Sequence, residues 1–257
     1  MFRRLLAYTY QVLGVIKVAA TADIHSPRYL DLFKRSAHRL SEADLVILAG
    51  DLIYKGRAEE VVKVVEIIED HFSGSVAACF GNEEYDEVKE RLRELTRDRV
   101  TWLDDEALTL SIKGYTLGLV GTRGCLDQPT SWQLRHIPGI RELYSRRVEE
   151  VDRLLAELSC DFKVLFSHYA LAKDTLKGER PSIWSQLGSS RMEEVVKRRR
   201  PTVAVHGHVH NGSVLEAWVD GVLVLNASLP AAGQVLVFEL PPAAPVKPRQ
   251  PTLSSFL

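Results

Sequence analysis

Five apolar runs recur along the chain, and each stops abruptly at polar residues. Val15–Ala20 leads into Thr21-Ala22-Asp23-Ile24-His25, Leu45–Ala49 into Gly50-Asp51, and Ser75–Phe80 into Gly81-Asn82-Glu83. Lys163–Phe166 leads into Ser167-His168, and Thr202–Val205 into His206-Gly207-His208-Val209-His210. A short unbroken apolar run fits a strand buried on both faces, as in a sheet covered by helices. Helical periodicity fills the gaps between the first runs. Leu30, Phe33, Ala37 and Leu40 share one face of a segment from Arg28 to Leu40; Val61, Val65 and Ile68 share one from Ala58 to Phe72; Val88, Leu92 and Leu95 share one from Tyr85 to Arg97. Strand alternating with helix predicts parallel crossovers in an α/β sheet.

The pattern then changes. Leu108–Ile112 and Tyr115–Val120 flank the turn pair Lys113-Gly114, and Val214–Val219 and Val222–Leu225 flank Asp220-Gly221, so each pair reads as a hairpin. A helix is expected from about Leu143 to Leu158 and a last strand over Gln234–Leu240. Hairpins after three crossover units predict a second, more antiparallel sheet. The expected α/β fold is an αββα sandwich of two mixed sheets flanked by helices. Two irregular stretches, Thr122–Tyr144 and Ala172–Ser190, are expected over the strand ends, since long polar and aromatic loops are commonly functional.

From Pro241 onwards, prolines at 241, 242, 245, 248 and 251 predict an extended tail. The organisation read here is an extension over residues 1–14, a domain over 15–240 and a tail over 241–257. Arg3-Arg4 before apolar residues superficially resembles a signal peptide, but Tyr8, Thr9, Tyr10 and Gln11 interrupt the apolar stretch and no small-residue cleavage site follows. The extension reads as packed on the domain, or as the product of an upstream misassigned start.

Composition narrows the classes. The 257 residues are 46% hydrophobic and 26% charged, enough for one large core. A formal net charge of −1 supplies no global basic field, so any nucleic-acid surface must be local. Cys79, Cys125 and Cys160 have no metal-finger spacing, and Cys79 and Cys160 read as core residues of a reducing compartment, which places the protein in the cytoplasm. No apolar run is long enough to span a bilayer. Scarce Asn and Gln with abundant Arg and Glu lean towards a heat-adapted source.

The five polar clusters carry the chemistry. Strands of covered α/β sheets place ligands beyond their carboxyl ends. Asp23 and His25, two apart, can face one ion; His208 and His210 share that spacing; Asn82 offers a neutral oxygen and His168 another imidazole. Mixed oxygen and nitrogen donors suit first-row divalent metals, Mn, Fe, Zn or Ni. Asp51 can hold a cation on each oxygen, so the set suffices for two divalent ions sharing one carboxylate. Such a pair clamps an in-line phosphoryl displacement.

D-x-H, G-D, G-N, S-H and G-H-x-H in this order resemble the calcineurin-like metallophosphoesterases, over residues 16 to about 240. The resemblance implies the αββα sandwich and a binuclear centre. One metal would take Asp23, His25, Asp51 and His210; the other would take Asp51, Asn82, His168 and His208; a hydroxide bridging them would attack a phosphoester. Catalytic roles then fall to Asp51, Asn82, Glu83 and His168. His206 reads as a buried strand-end histidine with a satisfied ring. Many members have a histidine that assists the leaving group where this chain has Glu83, and members lacking it lean towards phosphodiesters. The competing reading of Glu83 and Glu84 is an acidic first helical turn. Alternative functions are a small-molecule phosphatase, a cyclic nucleotide phosphodiesterase, or a metal-bound scaffold of low turnover.

Between Thr122 and Arg147, Arg123, Arg135, Arg141, Arg146 and Arg147 outnumber Asp127 and Glu142. Arg123, Trp132, Arg135 and His136 are expected to touch substrate, arginine pairing with phosphate and the rings stacking on a base, which makes nucleic acid a candidate partner. The chain ends with Gln250, Leu253, Phe256 and Leu257 spaced as in the peptides that bind the sliding clamp PCNA, with Leu257 in place of a second aromatic. The resemblance implies a nuclease tethered to a clamp.

Overall fold

The computed structural model describes residues 14–242. The clamp-like residues Gln250, Leu253, Phe256 and Leu257, and the extension up to residue 13, lie outside the described residues. Eleven strands run in chain order: β1 (Ile16–Thr21), β2 (Leu45–Ala49), β3 (Ser75–Cys79), β4 (Thr101–Leu103), β5 (Glu106–Ile112), β6 (Tyr115–Thr122), β7 (Phe162–Ser167), β8 (Val203–His206), β9 (Glu216–Val219), β10 (Val222–Asn226) and β11 (Leu236–Leu240). The helices are α1 (Leu30–Ser36), α2 (Glu60–Glu69), α3 (Lys89–Leu95), α4 (Ser131–His136), α5 (Ile140–Glu157), α6 (Ser190–Arg199) and the single turn α7 (Leu229–Ala232).

The strands form two mixed sheets, ordered β11-β1-β2-β3-β4 and β5-β6-β7-β8-β10-β9. In the first, β1 to β4 are parallel and β11 closes the edge antiparallel to β1. In the second, β6, β7, β8 and β10 are parallel, while β5 and β9 pair antiparallel at the two edges. The hairpins therefore frame a parallel centre, rather than making the sheet largely antiparallel. β4 pairs only three residues with β3 and carries too little apolar pattern to be foreseen. Helices also begin and end differently: the segment expected to Leu40 leaves α-helix at Ser36 and continues as 3₁₀ turns over Ala37–Glu42.

β2 shows why its run is unbroken. All five of its residues are fully buried. Leu45 and Ile47 point between the sheets, towards Phe166 and Val205, while Val46 and Leu48 join Phe33 and Val65 beneath the helices. Alternation persists in direction but both directions are apolar. Each such side chain contributes about 1.5–3 kcal/mol on burial. On the second sheet Val120, Leu165 and Ala204 pack outward against Val151, Leu155 and Val195 of α5 and α6. The order is helices, sheet, sheet, helices.

Register sets the site. Thr21 lies beside Leu48, Ala49 beside Cys79, Thr122 beside Ser167, and Ser167 beside His206. The carboxyl ends of the parallel strands thus finish flush in each sheet. A cleft of about 880 Å³ lined by Ser75, Arg97, Trp102 and Leu110 opens at the other end, where β3 begins. It is remote from the polar clusters.

Candidate metal centre

The loops leaving β1, β2, β7 and β8 bring six side chains into two groups: Asp23, His25 and His210, and Asp51, His168 and His208. Within each group the candidate ligand atoms all lie within 4.8 Å of one another. His210 Nε2 is 3.0 Å from Asp23 Oδ1 and 3.4 Å from His25 Nε2. Asn82 joins the second group, its Oδ1 3.0 Å from His168 Nε2. Asp51 lies between them, with Oδ2 3.7 Å from His25 Nε2 and 3.4 Å from His168 Nε2.

The backbone is bent to achieve this. Asp23, His25, Asp51 and His208 all have positive φ, at 59°, 42°, 53° and 68°. Non-glycine residues there cost on the order of 1–3 kcal/mol each and persist where the surroundings hold them. The first two are held by bonds between loops: Asp23 N–H donates to Gly50 O at 3.0 Å and His25 N–H to Asp51 O at 2.9 Å. His208 N–H donates to Asp23 Oδ2 at 2.8 Å, which ties one sheet to the other. Gly207 makes that approach possible, since a Cβ there would lie 2.8 Å from the same oxygen.

Beneath Asp51 sits Glu84, fully buried. Its carboxylate accepts the N–H groups of Asp51 and Gly81 on Oε2 and of Leu52 and Ile53 on Oε1. Glu84 is therefore a brace for two ligand loops, which corrects the reading of it as part of a helical first turn. The first helical turns here are 3₁₀ and start only at Asp86. Glu83 is a brace as well: its N–H donates to Asp51 Oδ1 at 2.7 Å, and its Oε2 accepts Lys55 N–H at 2.6 Å. Nothing in the sequence separates Glu84 from an ordinary helix-start acid. Its role arises from two backbone loops that converge only in the fold.

Electrostatics suit cations. Burial lifts the Asp51 carboxyl to about 7, and the Asp23 carboxylate adds to this, against the opposing pull of His25. Burial also acts on Asp23, but hydrogen bonds with His210 and His25 outweigh it and hold that carboxyl well below its ordinary range. Burial depresses His168 to about 4 and, with His168 nearby, His208 to about 3, so both rings are neutral donors at neutral pH. Among the described residues, Asp23 and Asp51 have no Lys or Arg partner, only histidines. Buried carboxylates without a cationic partner, beside neutral imidazoles and an amide oxygen, form a donor set that fits divalent metal ions. His206 stands apart from this set, with its Nδ1 bonded to Gly207 O and its Nε2 to the Thr175 hydroxyl.

The basic loop divides. Arg123 is largely buried, with Nη2 donating to Glu84 O at 2.9 Å and paired with Asp86 at 3.1 Å. Its Nη2 is thus engaged within the protein, while its buried Nε has no hydrogen-bond partner among the described residues. Arg147 is also internal, bonding Asp105 and Gly124 O behind the same loop. Trp132, Arg135 and His136 stay exposed on α4, with the Trp132 and His136 rings stacked at 4.8 Å. α4 reaches the centre indirectly: Gln133 bonds Tyr169 Oη, and the Tyr169 ring lies 4.8 Å from that of His208.

Solved structures share this fold. Phosphopantetheinyl hydrolase from Mycobacterium tuberculosis superposes with a TM-score of 0.65 at 16% identity, over 86% of this chain and 92% of that one. TT1561 of Thermus thermophilus superposes with a TM-score of 0.53 at 14% identity, over 87% of this chain and 98% of that one. No curated protein sequence matches this chain. The family model described as calcineurin-like phosphoesterase matches residues 16–212, which contain all five ligand loops. The chain belongs to the calcineurin-like phosphoesterases, a family of metal-dependent phosphoester hydrolases.

Proposed function

We propose that the chain hydrolyses phosphodiesters at a two-metal centre in which Asp51 is the shared ligand. The observation that carries this is the position of Asp51 Oδ2, within 3.7 Å of a donor atom in each group. One ion would be held by Asp23, His25, Asp51 and His210, the other by Asp51, Asn82, His168 and His208. When bound, two divalent ions supply Lewis acidity towards the phosphoryl group and lower the pKa of water towards neutrality. The protein's own contribution is rigidity: Glu84 and the N–H of Glu83 hold the Asp51 loop, so little reorganisation is needed when charge develops.

The preference for diesters rests on Glu83. Where many members of the family carry a histidine that assists the departing oxygen, and those without it lean towards diesters, this chain has the Glu83 carboxylate, which already accepts a backbone N–H. Trp132, Arg135 and His136, exposed beyond Tyr169, are the proposed contacts for the remainder of the substrate. A tail from Gln250 to Leu257 that docks on a sliding clamp would make the enzyme a nuclease working at replicated or repaired DNA.

The test is turnover with Mn²⁺ on paired mono- and diester substrates, together with single- and double-stranded DNA and RNA. Diester hydrolysis exceeding monoester hydrolysis is expected. Monoester preference would turn the reading to a small-molecule phosphatase. Metal binding without turnover would turn it to a scaffold.

A further inference from the structure

The connection from β2 to α2 carries a turn, Tyr54–Arg57, that is more firmly built than an ordinary surface loop. Lys55 and Gly56 both have positive φ, 50° and 68°. Glu83 fastens them: its carboxylate accepts Lys55 N–H at 2.6 Å and its carbonyl accepts Gly56 N–H at 2.9 Å. Tyr54 N–H donates to Ser26 O at 3.2 Å, tying the turn to the β1 loop. A Cβ on Gly56 would lie 2.8 Å from the Tyr85 ring, so only glycine lets the turn pack this close.

What the turn presents is an aromatic ring with cations over it. The Tyr54 ring meets His25 edge-on at 6.3 Å, and Lys55 Nζ and the Arg57 guanidinium lie 4.9 and 5.9 Å from its centre. The β1 loop repeats the arrangement. Tyr29 meets His25 edge-on at 6.1 Å, with the Arg28 guanidinium 4.9 Å from its centre. Both tyrosines are half-buried, the three cations are exposed, and among the described residues none of the three pairs with a carboxylate. Tyr29 also packs in part against the hydrophobic core beneath α1 and α2, whereas Tyr54 lies outside it. Two rings and three unpaired positive charges therefore border His25 of the Asp23–His25–His210 group.

We propose that Tyr29 and Tyr54, with Arg28, Lys55 and Arg57, form a binding platform for single-stranded nucleic acid. Unstacked bases take the place of the cations over the rings, and the displaced cations meet the adjoining phosphates, a combination that tolerates any base sequence. A duplex keeps its bases stacked and gains only the charge contacts. This deepens the phosphodiester reading and rests on it: the strand would cross the centre with its scissile phosphate over the two metal groups. Glu83 then has a purpose of its own, since the residue at the leaving-group position organises the surface that holds the polymer.

The platform is tested by fluorescence anisotropy of the full chain in chelator, with a labelled oligothymidylate as probe. Tyr54→Ala should weaken binding about tenfold, and Arg28→Ala with Arg57→Ala should do so while flattening the dependence on salt. Tyr54→Phe should bind like the parent, because the ring remains. The ratio of kcat/KM on the oligonucleotide to that on a small diester should fall in the weakened variants, and melting curves confirm their folding. Unchanged affinity in both Ala variants, or duplex bound as tightly as single strand, overturns the platform. Oligonucleotide binding that depends on these residues, in a protein that hydrolyses no diester, upholds the platform and overturns the phosphodiester reading instead.

Discussion

Glu84 accepts the backbone N–H of Asp51 at 2.8 Å, so the ligand proposed to be shared rests on a buried carboxylate three residues beyond Gly81 of the next loop. Glu84→Ala would strand four buried N–H groups, each costing about 1–3 kcal/mol. The variant should melt well below the parent in chelator and should bind Mn²⁺ more weakly at both sites by calorimetry. A parent-like melting temperature with two intact sites would show that the brace is dispensable.

Asp51→Asn keeps the shape of the side chain and removes the shared charge. Loss of outer-shell partners already costs about 10–100-fold in metal affinity or activity, so this change should exceed that and lower metal content below two ions per chain. Metal analysis and diester turnover check it. Two retained ions with full activity would refute the assignment of Asp51.

Glu83→His should raise the ratio of monoester to diester turnover, because a proton donor is restored at the leaving-group side. Glu83→Gln provides the control, since its amide oxygen can still accept Lys55 N–H but donates no proton of comparable acidity. An equal ratio in the two variants would leave Glu83 a brace and nothing more.

His206 titrates near 4 in the fold against an ordinary 6.5, because burial disfavours its charged form. Between those values the unfolded chain binds the proton and the folded one does not, so stability is full above 6.5 and is lost as pH falls towards 4. His206→Asn lacks this titration. The gap in melting temperature between parent and variant, measured in chelator, should narrow as pH falls through that window. A constant gap would mean that His206 is not held neutral.

Deleting residues 249–257 should spare folding and turnover on a small diester while abolishing association with the host's sliding clamp. A peptide of this kind typically reaches about micromolar affinity, near 8 kcal/mol. Calorimetry with a synthetic peptide of residues 247–257 is the direct measurement. No heat at high micromolar clamp, or a lowered melting temperature on truncation, would point to a tail that packs on the domain.

The sequence by itself determined the layers and the ligand types. An apolar run such as Leu45–Ala49 can be satisfied only by burial on both faces, and the Asp, Asn and His residues that follow such runs announce metal-ligand chemistry at strand ends. It did so because periodicity and residue type are local properties. The tertiary structure alone decided which charges remain free. Arg123, Arg135 and Arg147 look alike in the chain, yet Arg123 and Arg147 turn inward to Glu84 O, Asp86 and Asp105, and Arg135 stays exposed on α4. Glu83 and Glu84 likewise read as one acidic pair, but each finds different backbone N–H partners, Lys55 for one and Asp51, Leu52 and Ile53 for the other, about thirty residues away in sequence. Tyr54 and Tyr29 acquire a role only because separate loops bring both beside His25. Partners remote in sequence are set by strand register and sheet packing, and neither is written in any single stretch of residues.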